Sequence, residues 1–347
     1  MVMNENISHV SKVEIFGLWD RFDLAWNLNA DVNILSGING AGKSTILGCT
    51  YSLLREGKLL REPYGKLLKK IIITLNTGDL IIFERIIIEG TLQEIEEKAT
   101  KDQRLKKFVE IYREREGVDV NKSKAINFEF GVPSIDTVVE ETRKQFEIGA
   151  VSTFDSEIVQ SDAVHKLSGD TVKTELDWQI YQLQKKYLDY QLNLGKRAFD
   201  AVKRGASSQD IAKIEGTKDR FLTIIDELFL QTGKKINRDD NEISFLVGEQ
   251  QLSPYQMSSG EKQLLVILLT TLIQDNKNSI LFLDEPEISL HIDWQKKLIR
   301  YVAELNPNAQ LILATHSPAV IMEGWLDKVS EVSDLVTNKS KSGLHAA

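Results

Sequence analysis

The stretch GINGAGKS, Gly37 to Ser44, decides the fold. It matches the pattern G-x-x-x-x-G-K-[ST] in full. An apolar strand, Val32 to Leu35, leads into it, and a helix over about Ser44 to Arg55 leads out. That strand–loop–helix context is what a phosphate-binding loop requires. Gly37, Gly40 and Gly42 let the backbone curl until its N–H groups surround a phosphate, with Asn39, Ala41 and Thr45 filling out the loop and helix start. Lys43 is placed to reach the β- and γ-phosphates of ATP, and the Ser44 hydroxyl to bind Mg²⁺. The alternative is a glycine-rich turn with a chance Lys-Ser, and the flanking strand and helix argue against it.

Two further strand ends belong with this loop. In SILFLDEP the apolar run carries the chain to a sheet edge, where Asp284 and Glu285 emerge. Asp284 is suited to hold Mg²⁺, and Glu285 to act as general base on an attacking water. In QLILATHS a second buried strand ends at His316, where an imidazole can hold that water and sense the γ-phosphate. Alone, each is an ordinary surface turn or structural histidine; behind a phosphate loop they form a set. The helix HIDWQKKLIRYVAEL between the two strands predicts a mostly parallel sheet.

Upstream, KVEIFGLWDRFDLAWNLNADVNILSG predicts three strands, and LLKKIIITLNTGDLIIFERIIIE a hairpin turning at Asn76 to Asp79. Charged residues from about Leu92 to Glu116 predict a solvated helix, and AINFEFG and FEIGAVSTFD further strands. Between about Thr174 and Gly195 the period becomes helical. Leu176, Ile180, Leu183, Tyr187, Tyr190 and Leu194 form a heptad-like seam. KRGASSQD breaks it, and Ile211, Ile214, Phe221, Ile225 and Leu228 mark a second helix. The pair is expected to close over itself or over the sheet; self-association or partner docking is the other reading. The division expected is 1–160 for the first part of the nucleotide domain, 161–236 for a helical insertion, 237–335 for the second part and 336–347 for an unstructured tail.

Bulk properties narrow the classes. The chain has 347 residues, 42% hydrophobic and 27% charged, as in an ordinary globular protein. A net charge of −8 argues against a coat of nonspecific nucleic-acid contacts. Cys49 is the only cysteine, so no intrachain disulfide forms and a cytoplasmic location is expected. MVMNENISHVSK lacks the apolar core of a signal peptide, and LLVILLTTLI is about half a membrane span.

MSSGEKQLLVILL, Met257 to Leu269, has two readings. Ser258, Gly260 and Glu261 make a sound helix start. The same free N–H groups would also bind a phosphate.

Together these motifs, in this order, resemble the ABC-type ATPases. Lys43, Asp284-Glu285 and His316 match that family's Walker A, Walker B and switch-histidine positions. MSSGEKQ resembles its signature sequence, which implies that Ser258 and Gly260 bind the γ-phosphate held by a second subunit. Two copies would then close head to tail around two ATP molecules. The fold implied is an α/β P-loop NTPase of ABC type: a mixed central sheet, an antiparallel β subdomain and a helical insertion.

Within the superfamily the signature is Ser-Ser-Gly-Glu-Lys, and Glu287 and His291 stand where transporters usually have Thr and Asp. This resembles the RecF/SMC/OLD-like branch of DNA repair and antiphage defence. OLD nucleases carry a Toprim domain after the ATPase, whereas 31 residues follow His316 here, so a nuclease is expected on another chain. That arrangement resembles the ATPase subunits of Septu, PARIS and some retrons. The glutamine that contacts Mg²⁺ in ABC proteins has no assigned counterpart; Gln160 is the nearest candidate, beside Asp155 and Glu157. Trp19, Arg21 and Phe22 lie where this branch contacts base and ribose, and a core or surface role fits them equally.

The function expected is an ATPase that dimerises on ATP and gates a separate effector, a nuclease or toxin, in antiphage defence. The first rival is a repair or chromosome-associated ATPase binding duplex DNA, with Lys185, Lys186, Lys196, Arg197, Lys203 and Arg204 as phosphate contacts or merely a solvated helix face. The second is a transporter subunit, against which the signature and SLHIDWQ argue; no membrane is expected.

Overall fold

The computed structural model describes residues 7–56, 63–100, 106, 109, 125–133, 147–151 and 172–339. β1 (Val10–Leu18), β2 (Phe22–Asn27) and β3 (Val32–Ser36) are the three predicted strands, and α1 (Lys43–Glu56) follows the glycine loop. β4 (Lys70–Leu75) and β5 (Leu80–Thr91) form the predicted hairpin. Its turn closes through Leu75 N–H to Asp79 O, and Gly78 takes the left-handed φ of 85° that the turn needs. α2 (Leu92–Ala99) begins the expected charged helix, whose remainder lies almost wholly outside the described residues. β6 (Ala125–Pro133) and β7 (Glu147–Val151) realise the next two strands.

Two helices make the insertion. α3 (Glu175–Lys203) ends where KRGASSQD is read to break it, and α4 (Ser208–Phe229) returns after Gly205 turns the chain at φ 77°. Thr174 and Asp177 start α3 with a reciprocal capping box. All six seam residues of α3 are buried, as are Phe221, Ile225 and Leu228 of α4. Both helices pack on each other and on α5 (Ser259–Ile273), so the closed-over-the-core reading holds.

The short strands β8 (Lys235–Ile236), β9 (Phe245–Val247) and β10 (Gln250–Leu252) precede α5. Then follow β11 (Ser279–Asp284), α6 (Ile292–Leu305), β12 (Ala309–Ala314), α7 (Pro318–Ile321), β13 (Val329–Glu331), α8 (Val332–Leu335) and β14 (Val336–Lys339). β14 corrects the sequence reading. The segment from Val336 was expected to be unstructured, yet Val336–Lys339 pairs antiparallel with β2. Four residues carry no periodicity; their order comes from backbone bonds to a strand some 300 residues earlier.

A five-stranded parallel sheet, order β13-β3-β12-β11-β7, forms the centre. An antiparallel sheet, β14-β2-β1-β4-β5-β6, lies against one face with α1. Helices α3 to α6 cover the other. β11 is buried from Ser279 to Leu283, as a strand covered on both faces must be. Gln310 joins the sheets from inside. Its Oε1 accepts from Val10 N–H at 2.9 Å, and its Nε2 donates to Val10 O at 2.8 Å.

Candidate active site

Strand order fixes the site before any side chain is considered. β12 lies between β3 and β11, and Leu35, Ala314 and Asp284 stand in line across the three strands. The chain segments leaving these strands therefore open side by side at the carboxyl edge, the usual ligand edge of such a sheet. From β3 emerges the glycine loop with Lys43, from β11 Glu285, and from β12 His316.

The loop has the backbone it needs. Gly37, Gly40 and Gly42 have φ of 147°, 79° and 102°. A Cβ at Gly42 would lie 2.6 Å from the Trp19 ring, while one at Gly40 would meet nothing within 4 Å among the described residues. Asn39 and Gly40 are exposed, and Ala41 and Thr45 half-buried. Lys43 is 4% exposed. Its Nζ donates to Gly37 O at 3.2 Å and Ile38 O at 3.4 Å, and also to His316 Nε2. His316 Nε2 is in turn 3.3 Å from Glu285 Oε1. Glu285 holds the left-handed φ of 48°, a strained value for a residue with a side chain. Its N–H is fixed to Ala314 O at 2.8 Å.

The Ser44 hydroxyl donates to Asp284 Oδ1 at 3.0 Å. Burial pushes the Asp284 carboxyl up; the Ser44 bond pulls it down, and the Glu285 carboxylate raises it again. A hydroxyl and a carboxylate beside a phosphate loop are the hard oxygen donors that Mg²⁺ prefers, so the residues present fit the cation. Lys43, His316 and Glu285 thus form one line of contacts and Ser44 and Asp284 a second, adjoining it along the chain at Lys43-Ser44 and Asp284-Glu285.

Ser258 and Gly260 make their described contacts elsewhere. Ser258 caps α5, its hydroxyl accepting from Glu261 N–H, and Glu261 bonds back to Ser258 N–H at 3.0 Å. Gly260 lies against the loop after β11: a Cβ there would be 2.2 Å from Ser289 O. Charges in this helix start are paired. Lys262 meets Asp177 at 2.8 Å and Glu261 meets Lys234 at 2.8 Å, with all but Lys234 nearly buried. Burial opposes ionisation of Glu261, but the Lys234 and Ser258 bonds prevail and hold its carboxyl below the ordinary value.

Other residues resolve differently. Trp19 and Phe22 are half-buried, meet edge to face with centroids 5.8 Å apart, and pack on the core. Arg21 is exposed. Gln160, Asp155 and Glu157 lie outside the described residues. His291 caps α6. The role of Glu287 was missed: it binds the turn that carries His316. Its only sequence signal was an acidic residue at the position where the resemblance to ABC transporters leads one to expect threonine.

A parallel sheet whose adjacent strand ends carry a phosphate loop, an Asp-Glu pair and a histidine is a P-loop NTPase of ABC type. The chain belongs to the AAA_21 family, described as "AAA domain, putative AbiEii toxin, Type IV TA system", which matches residues 32–323. It is similar to the Retron Vc95 probable ATPase of Vibrio cholerae serotype O1 biovar El Tor, 25% identical over 127 residues. That match spans 33% of this chain and 24% of the retron protein. Among solved structures, an Smc head bound to the C-winged helix domain of ScpA aligns over 91% of this chain and 92% of its own. The identity is 14% and the TM-score 0.49. RecF of the RecFOR pathway aligns over 91% of this chain and 94% of its own, at 12% identity and TM-score 0.39. Among the described residues no helix is long and apolar enough to cross a membrane.

Proposed function

We propose that this chain hydrolyses ATP to ADP and phosphate and uses ATP-driven head-to-tail dimerisation to gate a separate effector in antiphage defence. The carrying observation is the cluster at the sheet edge, where Lys43 meets His316, His316 meets Glu285, and Ser44 meets the adjoining Asp284. Gly37 to Thr45 cradle the phosphates with backbone N–H groups. Ser44 and Asp284 hold Mg²⁺, which when bound neutralises charge on the phosphate oxygens. Glu285 takes the proton of the attacking water, and His316 orients that water toward the γ-phosphate. Lys43 exchanges its loop carbonyls for phosphate oxygens, a stronger charge-assisted set.

Ser258 and Gly260 engage the γ-phosphate of the partner copy, so hydrolysis removes what holds the dimer shut. The effector is a nuclease or toxin on another chain; the retron ATPase similarity and the family's description support this choice. A duplex-DNA reading rests on the basic residues of α3, but Arg197 already pairs with Asp275 at 2.8 Å. Lys185 and Lys203 lie over the Tyr181 and Phe199 rings.

Glu285→Gln tests the proposal. It should lower turnover at least about 100-fold, the usual worth of a general base, and trap an ATP-bound dimer visible by light scattering. A variant that stays monomeric with ATP, from a wild type that is also monomeric, would sink the dimer model.

A further inference from the structure

Glu287 lies beyond the Asp284-Glu285 pair and belongs to none of the steps above. Its Oε1 nevertheless takes three hydrogen bonds from the turn that carries His316. The Thr315 hydroxyl donates at 2.6 Å, His316 N–H at 2.8 Å and Ser317 N–H at 3.1 Å. Oε2 is buried and has no hydrogen-bond partner among the described residues. One oxygen therefore does all the holding. Two successive N–H groups and a hydroxyl converging on one oxygen make a small anion nest, here filled by the protein's own side chain.

Glu287 is itself braced. Gln263 of α5 donates to Pro286 O at 2.8 Å. Gln295 of α6 donates to Leu290 O at 2.9 Å and accepts from the Ser317 hydroxyl at 2.6 Å. The turn is thus tied to the segment after β11 at two places, and α5 and α6 immobilise that segment. At the end of this turn the His316 ring touches Lys43 and Glu285.

We propose that Glu287 is a positioning residue that clamps the Thr315–Ser317 turn and so aims His316 at the group formed by Lys43 and Glu285. The inference rests on the ATPase reading above. The clamp acts through geometry, because a single acceptor oxygen carries it. A glutamine can place its carbonyl oxygen in the same nest; an alanine cannot.

Three variants test this. Glu287→Ala should lower kcat about 100-fold while leaving the ATP KM within about twofold, since misaiming a catalytic group costs turnover rather than ground-state binding. Glu287→Gln should recover most of that loss. Thr315→Val removes one of the three donors and should cost kcat about fivefold, again without changing KM. Amide hydrogen exchange gives a reading independent of activity: His316 and Ser317 N–H should lose protection in Glu287→Ala and keep it in Glu287→Gln.

Wild-type kcat in Glu287→Ala would overturn the clamp. So would equal loss in the alanine and glutamine variants, which would make charge and not geometry the agent. Unchanged protection of the two amides would also overturn it. Should Glu287→Ala fail to fold, Thr315→Val and Glu287→Gln still decide: a fivefold loss confined to kcat beside a near-normal glutamine variant supports the clamp, and wild-type turnover in Thr315→Val goes against it. Failure of the ATPase reading looks different, because wild type and Lys43→Ala would then be equally inactive.

Discussion

Two charged regions of this molecule are built on opposite plans. At the carboxyl edge of the parallel sheet, Lys43, Asp284, Glu285 and His316 crowd together on three strand ends. Burial and a neighbouring carboxylate push Asp284 up, and Glu285 keeps a strained backbone. At the start of α5, Glu261 and Lys262 are more deeply buried than Glu285 and His316, yet each has a dedicated opposite charge: Lys234 for Glu261 and Asp177 for Lys262. The first region holds charge in an arrangement that a phosphate and a cation would relieve. The second neutralises its charge internally and fixes the insertion to the core. Buried charge alone therefore does not mark a site; buried charge that strains its neighbours does.

The sharpest way to break this contrast is at Lys262. Replacing it with Met leaves Asp177 buried and unpaired, which costs about 3–5 kcal/mol. Asp177 also caps α3, its Oδ2 accepting from Lys173 and Thr174 N–H at 3.1 Å each, so asparagine is the right partner change. Lys262→Met with Asp177→Asn should restore most of the stability in a denaturant titration. If the single change proves nearly neutral, the pair is not structural and the contrast fails. Lys43→Ala should do the reverse, leaving the denaturation midpoint near wild type while weakening ATP binding about 100-fold, the worth of one or two charge-assisted bonds. Normal affinity by calorimetry would mean that Gly37 to Ser44 is not a phosphate loop.

How much of this was legible follows from range along the chain. The phosphate loop was plain because its glycines, lysine and serine all fall in the short stretch Gly37 to Ser44. The hairpin and the α3 seam were plain because burial imposes periods that a short window displays. β14 was missed because Val336–Lys339 is ordered only by pairing with Phe22–Leu24. The end of α3 was legible too, because the turn at Gly205 within KRGASSQD is written in the local sequence. The Gln310 bonds to Val10, 300 residues away, leave no trace in any local pattern. Glu287 stood out as unusual, but its partners lie 28 to 30 residues on. For the same reason Ser258 and Gly260 divide: the Ser258 cap is local, the Gly260 contact lies far along the chain at Ser289, and a phosphate on a second copy is not part of this chain.

The smallest effect is the most diagnostic of a site that trades stability for function. Asp284 titrates higher folded than unfolded, with burial the leading cause and the Glu285 carboxylate adding to it. A raised carboxyl means that the folded state binds the proton more tightly. Asp284 then subtracts from stability as pH rises from the unfolded value toward the folded one, and that loss persists at neutral pH. Asp284→Asn removes the charge and keeps an acceptor for the Ser44 hydroxyl. It should therefore raise the melting temperature at pH 7 by roughly 1–3 °C while abolishing Mg²⁺-dependent turnover. The gain should shrink below the unfolded pKa, where the wild-type carboxyl is protonated in both states. A variant less stable than wild type at pH 7 would show that Asp284 is held like Glu261, by partners that favour its charge, and the two regions would then share one plan.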